Sequence, residues 1–407
     1  MPQPSGAAIS SSYHTLAKGS PGSDGVERSD NGAAPLGPLS PLDRLSQELV
    51  DAIVDELRED EKSLKVCTLT YRRWFSRSSA HLLSSCMVIN MPSLAMEPPK
   101  RVQSHLVKLT IEPRVVQHFE LLTALPRLSE LVVSGHHLDL ATFDSRSAIL
   151  RTSTERAIDS ITVKHTRLEV VELLVRLFVD VQTLRWEWCF EMPQGNPKFL
   201  DPPLAVRNLE VINSPGPFLP YIAHIMDRAT VESLKVQLIC HIGGGPGAFL
   251  DDFIQWFPHL HTYHHVDPSG MPTRIHADLP TLLNSTSISS VAITTEALKS
   301  GSDPERFQRN LAWLAALPVG TRRVALVYED SWRTAEELTE HVRKVDWEAA
   351  SRAVERYAKL EILEVSVQNT KNFKRGRGAP SLVEVSEARE VVAKSLPKHL
   401  RTRLVFK

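Results

Sequence analysis

Few residues of this chain could do chemistry by type and spacing, and the histidines come first. Sixteen are present; four cluster in "HLHTYHHVDP" as His259, His261, His264 and His265, and His136-His137 form a second pair. A zinc site needs ligands converging at fixed spacings, usually with cysteine or carboxylate partners and a supporting layer of hydrogen bonds. On a strand His259 and His261 would share a face, His264 and His265 would point oppositely, and no cysteine lies near. These histidines read as loop and strand-surface residues, and no metal site is expected.

The glycine-rich "HIGGGPGAF" (His241 to Phe249) precedes an apolar helical pattern. A phosphate loop requires Gly-Lys-Ser/Thr at its end, so that a helix N-terminus and a lysine meet the phosphates, and none is present. The dinucleotide spacing G-x-G-x-x-G is met at Gly243 and Gly245 and fails at Ala248. A nucleotide-binding α/β enzyme using this loop is therefore an alternative, and a loop between repeats is the ordinary reading. No G-x-S-x-G, no framed pair of catalytic carboxylates and no Cys–His signature appears, so the chain is not expected to be an enzyme or to need a cofactor. The run "KNFKRGRG" (Lys371, Lys374, Arg375, Arg377) reads as a solvated loop. Trp186 and Trp188, with Phe190 and Trp256, are the candidates for holding a target protein, since tryptophan is enriched in binding anchors. Being two apart, Trp186 and Trp188 should share one sheet face; core packing is the competing role.

The elements that must position these residues follow from hydrophobic spacing. From about residue 100 an apolar pattern recurs at relative positions one, four and six: Leu106-Leu109-Ile111, Leu128-Leu131-Val133, Ile158-Ile161-Val163, Val181-Leu184-Trp186, Val206-Leu209-Val211, Val231-Leu234-Val236, Ile288-Val291-Ile293 and Leu360-Leu363-Val365, with weaker copies at Leu260, near Val324 and near Leu404. Helical patterns such as "YIAHIMDR", "FLDDFIQWF" and "SLVEVSEAREVVAKSL" lie between them, and the spacing of the central apolar residues is mostly 22 to 41 residues. One strand and one helix per unit, with L-x-x-L-x-[LV], resembles a leucine-rich repeat. Each such unit exposes an apolar edge that only its neighbour can cover, so stacking gives a parallel sheet on one face, helices on the other, and an irregular arc. The Asn or Cys that this family carries three residues after the last apolar position occurs convincingly only at Cys189, so the turns must be held differently. An open doubly wound sheet is the alternative architecture.

Upstream, Leu49, Ile53 and Leu57 recur every four residues with Val50 and Val54 beside them, which gives a helix with one wide apolar stripe. Asp60 is a good N-cap for a second helix that turns Leu64 and Cys67 inward. A third helix carries Trp74, Phe75, Ser78 and Leu82.

The stretch "LSQELVDAIVDELREDEKSLKVCTLTYRRW", Leu45 to Trp74, closely resembles an F-box as found in the large set of fungal F-box proteins. The matching residues are Leu45, Glu48-Leu49, Ile53, Leu57, Leu64, Leu69 and Arg72-x-Trp74. The resemblance implies docking on a Skp-type adaptor, and through it a cullin, by Leu45, Glu48, Leu49, Ile53, Leu57, Leu64, Leu69 and Trp74. Where the family has proline after the first leucine this chain has Ser46, which can start the helix by accepting a backbone N–H; the adaptor contact of that proline is left open.

Length and composition agree with this organisation. At 407 residues the chain can hold more than one structural unit, and its net charge of −1 gives no bulk attraction for nucleic acid or membrane. Four scattered cysteines without a CxxC pair fit a reducing compartment. No bilayer-length apolar run and no signal-peptide layout is seen, so a cytoplasmic or nuclear protein is expected. The expected division is a Ser/Gly/Pro-rich disordered tail over 1–40, a three-helix F-box over 41–90 and a degenerate leucine-rich-repeat-like α/β domain over 100–407. The expected function is that of a substrate receptor of an SCF-type ubiquitin ligase, its repeats binding a target protein; an F-box and repeat scaffold outside any ligase is the alternative.

Overall fold

The computed structural model describes residues 45–70, 72–88, 105–111, 122, 125–134, 157–166, 177–189, 203–239, 246–267, 282, 287–296, 310, 313–314, 317–330, 339–340, 342–369, 386–396, 398–402 and 404–406. The chain divides into two compact units, Met1–Ile53 and Val54–Lys407. The predicted tail, His136-His137, Gly243, Gly245 and the basic run lie outside the described residues.

Helix α1 (Gln47–Glu56) starts as its sequence predicts: the Ser46 hydroxyl accepts the Leu49 N–H at 3.4 Å, and the Ser46 carbonyl accepts that of Val50 at 3.1 Å. Helix α2 (Glu61–Thr70) is capped by Asp60, whose carboxylate accepts the N–H groups of Lys62 and Ser63 at 3.1 and 3.2 Å and the Ser63 hydroxyl at 2.6 Å. Leu64 and Cys67 are its buried residues, as expected. Helix α3 (Arg72–Ser84) buries Ser78, whose hydroxyl donates to the Trp74 carbonyl at 2.6 Å. Asp55 receives Arg77 through Nε and Nη2 at 2.6 and 2.8 Å and faces His81 Nε2 at 2.7 Å. These bonds, Arg77 first, hold the Asp55 carboxyl well below the usual carboxylate range.

The rest of the described chain builds one sheet whose strands all run parallel. In chain order they are β1 (Ser85–Val88), β2 (Lys108–Ile111), β3 (Glu130–Ser134), β4 (Ala157–Lys164), β5 (Asp180–Glu187), β6 (Leu204–Pro215), β7 (Met226–Asp227), β8 (Ser233–Ile239), β9 (Thr262–Asp267), β10 (Ser290–Glu296), β11 (Arg323–Asp330), β12 (Ile362–Asn369) and β13 (Leu404–Phe406). Spatial order equals sequence order throughout, the two-residue β7 alone standing aside as a short partner of β6. A doubly wound sheet reverses its strand order at a switch point; this one does not, so the architecture is α/β of the solenoid-like class. In general, parallel strands in monotonic order with right-handed crossovers carry their connecting helices on one face of the sheet.

The predicted apolar columns are in register across the sheet. The central position runs Leu109–Leu131–Ile161–Leu184–Leu209–Leu234–Tyr263–Val291–Val324–Leu363–Leu404, each residue paired with the next across adjacent strands. All but the last are buried. The strand starts repeat too. From β8 to β12 one carbonyl of a strand's lead-in accepts two successive N–H groups of the next: Glu232 O takes His261 and Thr262, His261 O takes Ser289 and Ser290, Ser289 O takes Arg322 and Arg323, and Arg322 O takes Glu361 and Ile362, at 2.7–3.2 Å. The repeat is thus carried by main-chain geometry even where side chains have drifted.

Between strands lie α4 (Leu219–Ile225), α5 (Pro246–Gln255), α6 (Trp347–Glu355), α7 (Ser386–Ser395) and α8 (Lys398–Arg401). The "YIAHIMDR" helix stops at Ile225 because Met226-Asp227 pair with β6. Helix α6 is not among the predicted elements; Asp346 caps it, accepting the Ala349 N–H at 2.8 Å. Tyr357 behind it ties successive repeats together by donating its hydroxyl to the Leu314 carbonyl. Among the described residues no helix is long and apolar enough to cross a membrane.

Candidate functional site

The residues that the F-box resemblance singles out fall into two sets by exposure. On α1 the predicted wide stripe splits: Val50 and Val54 are fully buried, whereas the larger Leu49 and Ile53 are 55% and 41% exposed. Glu48 is exposed, and Leu45 and Leu57 are half-buried. On α2 two apolar pairs at i, i+3 spacing divide the helix, Leu64 and Cys67 turning inward while Val66 and Leu69 face solvent. Leu69 is 89% exposed. Trp74 is half-buried, and Phe75 beside it is exposed. Leaving valines inside and leucine or isoleucine outside is the reverse of what burial of the largest apolar area would select. Phe75, placed by its spacing with Trp74 and Ser78 on the third helix, is exposed although Ser78 is buried; Val66 was not singled out, and the second i, i+3 apolar pair on α2 was its signal.

The second candidate set lies at the ends of β4–β6. Trp186 does not face a partner: it stands in the inward column between Val163 and Val211, fully buried, with Phe218 edge-on at 5.4 Å. Trp188 does not share its face, which corrects the expectation of a tryptophan pair. The strand alternation ends at Glu187, and Trp188 takes φ 58°, which turns its side chain out to 36% exposure. His165 and Asn213, in line with Trp188 on the neighbouring strands, also have positive φ, 50° and 51°. The backbone bonds continue through this corner, His165 N–H to Glu187 O and Trp188 N–H to Ile212 O, both at 3.0 Å. At Asn213 the register of β6 shifts by one residue.

One residue further on, Thr166, Cys189 and Ser214 are all buried, and each donates to the carbonyl two residues before it. The distances are 2.7 Å to Lys164 O, 3.7 Å to Glu187 O and 3.2 Å to Ile212 O. Burial pushes the Cys189 thiol up to about 11, so it acts as a small neutral donor. Cys189 therefore does not stand alone, as the sequence suggests; hydroxyl residues fill the same place on both sides.

The outward sheet face beside this corner is charged and internally paired. Glu187 meets Lys164 Nζ at 3.0 Å and Arg185 Nε at 3.2 Å, and Arg185 Nη1 reaches Glu210 at 3.2 Å. On β9 the consecutive histidines point oppositely, as expected. His264 Nε2 bonds Thr294 Oγ1 at 2.7 Å on the outward face, while His265 packs on Tyr263 and Trp313. Burial first, then the charge of Lys235 and the neighbouring His265, bring His264 down to about 4. His259 and His261 precede the strand, which begins at Thr262, so the face expected for them does not exist. Among the described residues no group of three His, Cys, Asp or Glu is arranged to hold a metal ion. No protein-family model and no curated protein sequence matches this chain.

Proposed function

We propose that this chain is a substrate receptor of an SCF-type ubiquitin ligase: an F-box at α1–α3 that docks on a Skp-type adaptor, followed by degenerate leucine-rich-like repeats that hold a target protein. Leu69 carries the reading. With Val66 one turn away, 61% exposed beside the 89% of Leu69, it forms an apolar strip on the outer side of α2 that a docked partner would cover. Leu49 and Ile53 on α1 belong to the same docking set by resemblance. The Thr166–Cys189–Ser214 series supports the repeat assignment, since polar side chains bonded to the main chain hold the turn that Asn holds in leucine-rich repeats. Trp188, set in an unusual backbone conformation at a strand end, is the target contact within this reading. Trp186 is withdrawn from that role.

The mechanism is proximity. The chain supplies no reacting group; it raises the local concentration of target lysines near a ubiquitin-charged enzyme brought by the cullin. Copurification of the full chain with a Skp-type adaptor, compared with the Leu49→Asp, Trp74→Ala double variant, tests it. Adaptor retained by the wild type and lost by a folded variant supports the reading; adaptor absent from both at micromolar concentrations sinks it.

A further inference from the structure

A half-buried group on the helix side of the sheet takes no part in either role above. His224, in the last turn of α4, packs edge-on against Trp256, just beyond α5, with ring centroids 6.4 Å apart. Phe253 supports the same indole edge-on at 6.1 Å. Arg228 lies over the Trp256 ring at 4.7 Å, and its Nε donates to the Ala223 carbonyl at 3.4 Å. The guanidinium is thus fixed on one edge by a carbonyl and on one face by an aromatic ring. Its two terminal nitrogens have no partner among the described residues. The nearest acid in sequence, Asp227, accepts the Ala229 N–H at 3.0 Å and forms no ion pair with Arg228.

We propose that Arg228, held on Trp256, is a carboxylate-binding point that docks an acidic segment of a partner protein. Arginine presents two parallel N–H groups in a plane that matches a carboxylate, and here ring and carbonyl set that plane before binding. Charge selects carboxylate over phosphate: one guanidinium balances one carboxylate, whereas a phosphoryl group near −2 wants a cluster of arginines. The group sits where helices return to β8 and β9, and it does not depend on the chain's joining a ligase.

A blocked tetraglutamate peptide is the probe, added at constant ionic strength to the full chain while the indole N–H signal of Trp256, assigned with Trp256→Phe, is followed by NMR. The expected result is a saturable shift, absent with the tetraglutamine counterpart. Arg228→Gln weakens binding about tenfold or more, and Arg228→Lys, which keeps the charge and loses the fork, weakens it less. Thermal melting of both variants checks that they fold, and Arg228→Lys serves alone if the glutamine variant does not. No shift in the wild type, an equal response from the variants, or tighter binding of a matched phosphoserine peptide would overturn the assignment.

Discussion

His165 and Trp188 occupy the same corner on adjacent strands, both at positive φ (50° and 58°), with their rings stacked at 6.1 Å and 20°. A histidine tolerates that backbone region; a bulky indole rarely adopts it. The corner is imposed from below. The N–H groups of both residues bond the next strand, and the buried Thr166, Cys189 and Ser214 fasten the chain immediately after it.

Replacing Trp188 by Asn, which stands at the equivalent corner as Asn213, should leave stability unchanged or raise it by up to about 1 kcal/mol. Trp188→Val should lower it by about 1–2 kcal/mol, since a β-branched residue resists positive φ. Urea denaturation of the two variants reads the difference. If Val proves as stable as Asn, the corner is not strained.

The buried donors are a second test. Ser214→Ala and Thr166→Val should each cost about 1 kcal/mol, the worth of one intramolecular hydrogen bond. Cys189→Ser should be nearly neutral, because hydroxyls already do this work at both neighbouring corners. A Cys189→Ser loss larger than that of Ser214→Ala would deny the shared role.

Acid should separate the Asp55 clamp from the rest of the fold. Its folded carboxyl titrates below the unfolded one, so its contribution is present above about pH 4 and is lost as pH falls further. Because both partners are substantially exposed, the effect is modest and falls with salt. Asp55→Asn should therefore be less stable than wild type at neutral pH and approach it in acid, a convergence that denaturation at several pH values would detect.

His264 has the opposite chemistry and the same direction. Its folded pKa, about 4, lies below the unfolded value of about 6.5, so the unfolded chain binds the extra proton between them. Stability should fall as pH drops through that window, by at most about 3 kcal/mol. His264→Gln should flatten that slope, and a wild-type slope that survives the substitution would place the proton elsewhere.

The parts of the fold that were legible are those in which one side chain decides one contact. Leu109, Leu131, Ile161 and their successors had to face inward because each strand buries one face, and the register confirms the column down to Leu404. Asp60 and Ser46 cap helices by a local bond that depends on neighbours alone. Trp188 was misread because alternation holds only while the strand lasts, and the positive φ that ends it follows from bonds to the next strand. Thr166 and Ser214 escape a pattern that asks for Asn or Cys, whereas the turn requires only a short donor. The split of α1 into buried valines and exposed Leu49 and Ile53 is a tertiary choice between two adjacent stripes, which periodicity alone does not make.

The most direct measurement is calorimetric titration of the full chain with a purified Skp-type adaptor, repeated with Leu69→Asp. Leu69 is so exposed that this substitution leaves folding intact, while burying a charge in place of a leucine should weaken docking at least about tenfold. Micromolar or tighter binding that Leu69→Asp abolishes and Trp188→Asn leaves unchanged is the predicted result; no binding, or binding indifferent to Leu69→Asp, would contradict the account.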